Sequence, residues 1–151
     1  MNWLVKWADE IIISAPKDQV YAALNDPEVL KQCIPGCEEL TQHSDSELAA
    51  EVVLKVGPVK ARFEGEVTLD KSGAPDAFSL SGRGSSGAAG YAKGGADVTL
   101  TVDDDTTVLK HEATAQISGK IAKLGSRLIQ STAKKLAEKF FASFAKVVED
   151  A

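Results

Sequence analysis

Few residues of this 151-residue chain combine a reactive side chain with surroundings that would put it to use, and His111 is the foremost. In the column Leu109, His111, Ala113, Ala115 and Ile117 it is the one polar member of an alternating apolar set. An imidazole there is either a core histidine satisfied by a backbone carbonyl or water, or a hydrogen-bond donor at the wall of a cavity. A catalytic histidine needs a nucleophile or carboxylate on the same inward face, and Glu51, Glu64 and Glu66 all take the outward, charged parity. No inward partner is expected. The sequence has no G-x-S-x-G, H-E-x-x-H or G-x-x-x-x-G-K motif either, so no catalytic residue is assigned and an enzyme is not expected. Cys33 and Cys37, in Cys-Ile-Pro-Gly-Cys, lack the second ligand pair of a structural zinc site. They read as reduced thiols beside a turn, with no metal.

Charge narrows the partners. The chain has 17 Lys+Arg against 22 Asp+Glu, a net charge of −5, which argues against gripping nucleic-acid phosphates. The balance is uneven, because residues 120–151 carry 7 basic and 3 acidic side chains and the remainder is net −9. Lys120, Lys123, Arg127, Lys134, Lys135, Lys139 and Lys146 therefore form either a solvated helix face or a contact for an anionic partner. By helical angle Phe141 lies near Lys123, Arg127 and Lys134 and away from the apolar stripe, so these four are the candidate membrane or partner surface. No apolar stretch approaches the ~20 residues of a membrane span. Met1 to Glu10 lacks the apolar region of a secretory signal, and a cytoplasmic chain is expected.

The elements that must position these residues follow from periodicity. Ile11 to Ile13 is a short β-branched run followed by Pro16, so a first strand hands over to a helix that ends at Asn25. Asp26 and Pro27 then cap and start a second short helix, which Pro35-Gly36 terminates. From about 38 to 119 the period is two, most clearly where Val59, Ala61, Phe63, Gly65, Val67 and Leu69 alternate with charged residues and Thr68. Gly57-Pro58 and Asp103-Asp104-Asp105 read as turns in a meander of six or seven strands. From Gly119 the period becomes 3.6, giving one helix over about 120–149 whose stripe includes Ala122, Ile129, Leu136, Phe140 and Phe144. The expected architecture is α+β: one domain over 1–151, a curved antiparallel sheet around a long C-terminal helix, with two short helices after strand one.

Within that frame the segment Ser81 to Thr101 is unusual, holding half of the 12 glycines. Every even position from 88 to 102 is small or apolar, through Ala88, Gly90, Ala92, Gly94, Ala96, Val98, Leu100 and Val102, so a long strand is expected rather than a linker. Its inward face tapers from Val and Leu to Ala and Gly, and its neighbour tapers alike from Phe78 and Leu80 to Gly82 and Gly84, with a turn near Ser85 to Gly87. Either the helix approaches the sheet closely there or a cavity is kept open for a ligand. The sheet residues that would line such a cavity are Phe63, Phe78, Leu80, Gly82, Gly90, Ala92, Ala96, His111 and Ala113. Leu128, Phe140 and Phe144 would face them from the helix.

Four motifs in order carry a resemblance. They are Asn25-Asp-Pro-Glu-Val-Leu-Lys-Gln-Cys-Ile-Pro-Gly-Cys-Glu38, Val56-Gly-Pro-Val-Lys-Ala-Arg-Phe-Glu-Gly65, Ala88-Ala-Gly-Tyr-Ala-Lys-Gly94, and Gly119-Lys-Ile-Ala-Lys-Leu-Gly-Ser-Arg-Leu-Ile129 followed by Lys135-Leu-Ala-Glu-Lys-Phe-Phe141. Over roughly residues 8–148 the chain resembles the CoxG family of carbon monoxide dehydrogenase subunits, of the START-like or polyketide-cyclase-like superfamily with its helix-grip fold. The resemblance implies a non-catalytic accessory protein of a carbon monoxide dehydrogenase or related molybdenum hydroxylase, without a cofactor of its own. It implies recruitment of that enzyme to the cytoplasmic membrane face and a cavity that takes a respiratory quinone or lipid as cargo, with His111 at the polar end. Some members extend beyond the last helix; this sequence ends at Ala151, so membrane contact is expected from the folded surface or the partner. A START-like cyclase or hydrolase and a pure assembly chaperone are the alternatives.

Overall fold

The computed structural model describes residues 2–151. Seven strands form one antiparallel sheet: β1 (Asn2–Ile13), β2 (Cys37–Ser44), β3 (Glu47–Val56), β4 (Val59–Asp70), β5 (Ala77–Ser85), β6 (Tyr91–Asp103) and β7 (Thr106–Ser118). Their spatial order is β1-β7-β6-β5-β4-β3-β2. Strands two to seven are a meander, and β1 closes the sheet by pairing with β7. Between β1 and β2 lie α1 (Lys17–Leu24) and α2 (Pro27–Cys33), and the last element is α3 (Ser126–Glu149).

Local chemistry accounts for the boundaries. The Asp26 carboxylate accepts from the Glu28 N–H at 3.0 Å, capping α2 with Pro27 at its first position. Asp104 takes φ 53° in the β6–β7 turn, within the left-handed region that aspartate tolerates better than most residues. Two boundaries differ from expectation. β1 is a full strand from Asn2, because the inward set Trp3, Val5, Trp7, Ile11 and Ile13 is interrupted by Asp9 while Leu4 and Ile12 occupy the outer face, which blurs the period. The C-terminal helix starts at Ser126, and Lys120–Leu124 is a separate 3-10 turn ended by Gly125 at φ 97°. Ala122 and Ile121 are buried in that turn, so their apolar pattern is helical in appearance only.

The sheet grips α3 from both sides. Gln130 Nε2 donates to the Lys6 carbonyl of β1 at 2.8 Å, and Trp3 Nε1 donates to the Ala122 carbonyl. On the other flank the β3–β4 turn reaches α3 so closely that a Cβ on Gly57 would lie 2.7 Å from Leu128 Cδ2. Near its C-terminus α3 is held by Gln19 Nε2 donating to the Val148 carbonyl at 3.1 Å and by Glu149 accepting from the Ser14 N–H at 2.8 Å. These bonds hold both ends of the helix against the sheet and α1.

Candidate functional site

The interior is closed at one end and looser in the middle. Ile13, Val20, Leu24, Cys33, Phe78, Val98, Leu100, Leu109, Phe144 and Val148 form a sealed cluster under α1, α2 and the C-terminal half of α3. Ile121, Ala122 and Ile129 are buried at the opposite end of α3, with Val56 and Ala61 of the β3–β4 hairpin. Between them the inward side chains of Phe63, Val67, Leu69, Leu80, Ala92 and Ala96 are only half-buried, as are Leu136 and Phe140 on the stripe of α3. This half-buried apolar surface between the sheet and α3 is the candidate cleft.

The register places the expected lining residues in rows across the sheet. Leu80, Ala96, Ala113 and Trp7 form one row, and Gly82, Gly94, Ala115 and Val5 form the next. Phe78, Val98, His111 and Asp9 form the row on the sealed side. Phe63, Leu80, Gly82, Ala92, Ala96, His111 and Ala113 thus share the inward face of the sheet, with Phe140 half-buried on α3. Phe78 and Phe144 belong instead to the closed core, because α1 and α2 cover that end of the sheet. Leu128 packs on the Gly57 turn, on the side of α3 away from the stripe. Val102, expected inward, is 56% exposed, since the β6–β7 hairpin extends past the elements that would cover it.

The glycines have a different explanation from either expected one. A Cβ on Gly94 would lie 2.9 Å from Ala115 Cα and closer still to the Thr114 carbonyl oxygen, and one on Gly82 would lie 3.1 Å from the carbonyl oxygen of Glu66. Strand-to-strand approach leaves no room for a side chain at Gly94 and little at Gly82. At Gly90 the close-helix alternative holds in modified form: a Cβ would meet Ile121 Cγ1 at 2.6 Å, on the 3-10 turn that precedes α3. Gly90 is therefore a contact point and not a cavity wall. It precedes β6, in a connection whose 3-10 turn covers Gly87–Ala89, and the side chain of Ala88 lies outside the described residues.

His111 is 5% exposed and lies flat against Phe141, with ring centroids 4.3 Å apart and planes at 18°. Phe141 in turn meets Phe140 edge-on, and Phe140 stacks on Phe144. This corrects the expectation that Phe141 sits outside among basic residues. Its helical angle is at the border of the apolar stripe, and the curl of the sheet toward β1 brings that border inside. Among the described residues nothing hydrogen-bonds to the His111 ring nitrogens, yet no buried side-chain nitrogen or oxygen is sealed and unpartnered. The ring nitrogens accordingly border space that water-sized groups reach. Burial pushes the His111 pKa below its ordinary value, opposed by the negative charge of Asp9.

Asp9 is the residue that sequence reasoning missed. It is the direct cross-strand partner of His111 and shares the inward parity of Trp7 and Ile11, so an inward carboxylate does exist beside the imidazole. Reading Trp3 to Ile13 as one alternating strand would have found it.

Lys123, Arg127 and Lys134 are exposed, but Lys123 belongs to the 3-10 turn and Gly125 separates it from α3, so they do not form one helical stripe. Other grooves are present. One of about 620 Å³ touches Trp7, Leu80, Ala96 and Ala113 as well as Lys6, Ala8, Gly95, Asp97, Glu112 and Thr114 of the opposite parity, and one of about 500 Å³ is lined in part by Glu39, Glu51, Glu64 and Glu66. Burial and the nearby Glu39 raise the Glu51 pKa. Cys33 is buried and Cys37 half-buried, both as free thiols whose pKa values burial pushes up. Among the described residues no cluster suited to a metal ion occurs, and no helix is long and apolar enough to cross a membrane.

The sheet wrapped on a C-terminal helix, with two short helices after strand one, is the START-like, helix-grip fold. Solved structures with this fold include a conserved protein from Geobacillus kaustophilus, 24% identical with TM-score 0.88, covering 99% of this chain and 96% of that one. A START superfamily protein from Mycobacterium smegmatis is 13% identical with TM-score 0.68, covering 96% and 97%. The Zhui aromatase/cyclase from Streptomyces sp. R1128 is 13% identical with TM-score 0.68, covering 97% and 94%. No curated protein is similar enough in sequence to match. The family model for the CoxG subunit of carbon monoxide dehydrogenase matches residues 10–149, and the chain belongs to that family. At the family level it is an accessory protein associated with carbon monoxide dehydrogenase.

Proposed function

We propose that this chain carries an apolar molecule with a small polar head, a respiratory quinone or a lipid, in the cleft between α3 and the sheet. In this reading it is not an enzyme, and it helps bring a carbon monoxide dehydrogenase-type molybdenum hydroxylase to the cytoplasmic membrane face. The observation that carries the reading is His111, a buried imidazole whose nitrogens border accessible space beside a largely apolar inward face. A polar group kept in such a place without a protein partner costs stability, so a ligand head that bonds it gives it a use.

Family membership supports the choice of partner, and the half-buried apolar surface on both sides of the cleft supports the apolar tail. Exposed Lys123, Arg127 and Lys134 support a transient contact with anionic lipid. Native mass spectrometry of the freshly purified protein, followed by solvent extraction, tests the cargo. A co-purifying quinone or lipid at near one per chain is the expected result. Protein that emerges empty and takes up neither in reconstitution overturns the reading and leaves a chaperone with an incidental cleft.

A further inference from the structure

An aspartate on the inner side of β1 is out of keeping with its neighbours. Trp7 and Ile11 flank it at the same parity, and Val5 and Ile13 beyond them are buried. Asp9 itself is exposed, so its carboxylate meets solvent while standing directly across from nine-tenths-buried His111. One carboxylate oxygen is occupied, since Oδ1 accepts from the Glu10 N–H at 2.8 Å. Oδ2 has no partner among the described residues. On the imidazole, Phe141 covers one ring face, and the ring nitrogens are not sealed from solvent.

The two groups differ in what they can bind. A neutral imidazole has one donor and one acceptor nitrogen and can serve either kind of ligand oxygen, whereas an ionised carboxylate only accepts. We infer that Asp9 and His111 together form the polar end of the cleft and select a head group that donates a hydroxyl hydrogen, so that the chain binds the reduced hydroquinone form of a quinone in preference to the oxidised form. This rests on the cargo reading above and adds the redox state of the cargo to it.

The discrimination has a simple origin. A quinone head presents carbonyl oxygens alone, and one placed beside Asp9 sets two acceptors against each other with no hydrogen between them. The hydroquinone places an O–H there, and a hydroxyl donating to an ionised carboxylate makes the stronger, charge-assisted kind of bond. His111 satisfies the same or the second ring oxygen in both forms, so it contributes affinity without contributing choice. Trp7 is half-buried on the same face, two residues from Asp9, and provides a flat apolar wall for either ring.

Anaerobic titration calorimetry with decylubiquinone and its chemically reduced quinol, a pair that differs only in the head, tests the inference on the whole chain. The quinol is expected to bind about tenfold more tightly to the natural protein, the effect of roughly one charge-assisted bond. Asp9→Asn should bring the ratio close to one, Asp9→Glu should retain a preference for the quinol, and His111→Phe should weaken both forms while keeping the ratio. Equal or tighter binding of the quinone overturns the inference and leaves the cargo reading standing. So does an undiminished ratio in Asp9→Asn. Binding of neither form overturns the cargo reading, and the redox preference with it.

Discussion

Phe141 of α3 and His111 of β7 lie face to face, 4.3 Å between ring centroids, and this pair ties the helix to the sheet beside the cleft. The stack continues through Phe140 to the sealed Phe144, so the helix is anchored by a run of aromatic contacts on one side and by Gln130 on Lys6 nearer its start. A stacked pair contributes ~0.5–1.5 kcal/mol beyond area burial.

Phe141→Ala removes that stack together with a half-buried ring. A loss of about 1–3 kcal/mol in urea unfolding is expected, below the full core value because Phe141 is not sealed. The same variant should let water reach the His111 ring and return its titration, followed by NMR, toward the ordinary value. An unchanged unfolding midpoint would show that the stack is not part of what holds α3.

His111 also makes stability depend on pH in a known direction. Its folded pKa is held below the ordinary 6.5 by burial, so between those two values the unfolded chain binds more protons than the folded one. The preference for the neutral ring is therefore fully satisfied above about pH 6.5 and stability falls as the pH drops through the folded value. Urea unfolding of the natural chain and of His111→Phe, compared at about pH 7.5 and pH 5, should show the natural chain losing more on acidification. Equal losses in both would mean that burial of the imidazole does not control this pH dependence.

Much of this was legible because period and chemistry agreed. Asp26-Pro27, the alternation from Val59 to Leu69 and the Asp103 to Asp105 turn each combine a local preference with a burial pattern, and each element lies where the pattern places it. What was not legible depends on distance in space. Gly94 and Gly90 look alike in sequence, yet one is small because β7 is close and the other because Ile121 is close. Phe141 could be assigned an angle on α3 but not a side, since how far the sheet curls around a helix is a tertiary fact. Asp9 was obscured by the opposite cause, a polar residue breaking an inward set that a longer view of β1 would have recovered.

Ala92 and Gly90, equivalent as cavity walls by parity, differ in the room around them. Ala92 is half-buried with an existing Cβ, and its row partners are Gly84 and Ile117, so Ala92→Leu extends into the cleft. It should cost about 1–3 kcal/mol from overpacking and abolish uptake of decylubiquinone while the domain stays folded. Gly90→Leu has no such room, with Ile121 Cγ1 at 2.6 Å and the Ser118 carbonyl oxygen at 2.9 Å from the first added carbon, and should lower the thermal midpoint far more. Full uptake by folded Ala92→Leu would place the ligand elsewhere.

Membrane contact through the basic residues should be purely electrostatic. Phe141 is turned inward, which removes the apolar anchor expected beside them, and Lys123, Arg127 and Lys134 stand exposed on two separate elements. Each basic side chain near an anionic surface contributes up to ~1 kcal/mol, and the net −9 of the remaining chain opposes approach. Three such contacts without an apolar insertion give weak attraction that a Debye length of ~8 Å at physiological salt largely screens. Sedimentation with phosphatidylglycerol vesicles is therefore expected at low ionic strength and should vanish near ~0.15 M salt in the absence of the dehydrogenase. Lys123→Glu, Arg127→Glu and Lys134→Glu in combination should abolish it while leaving cleft ligand binding intact. If the triple variant still sediments, or the natural chain fails to do so at any salt, these residues are a solvated surface or belong to the interface with the enzyme.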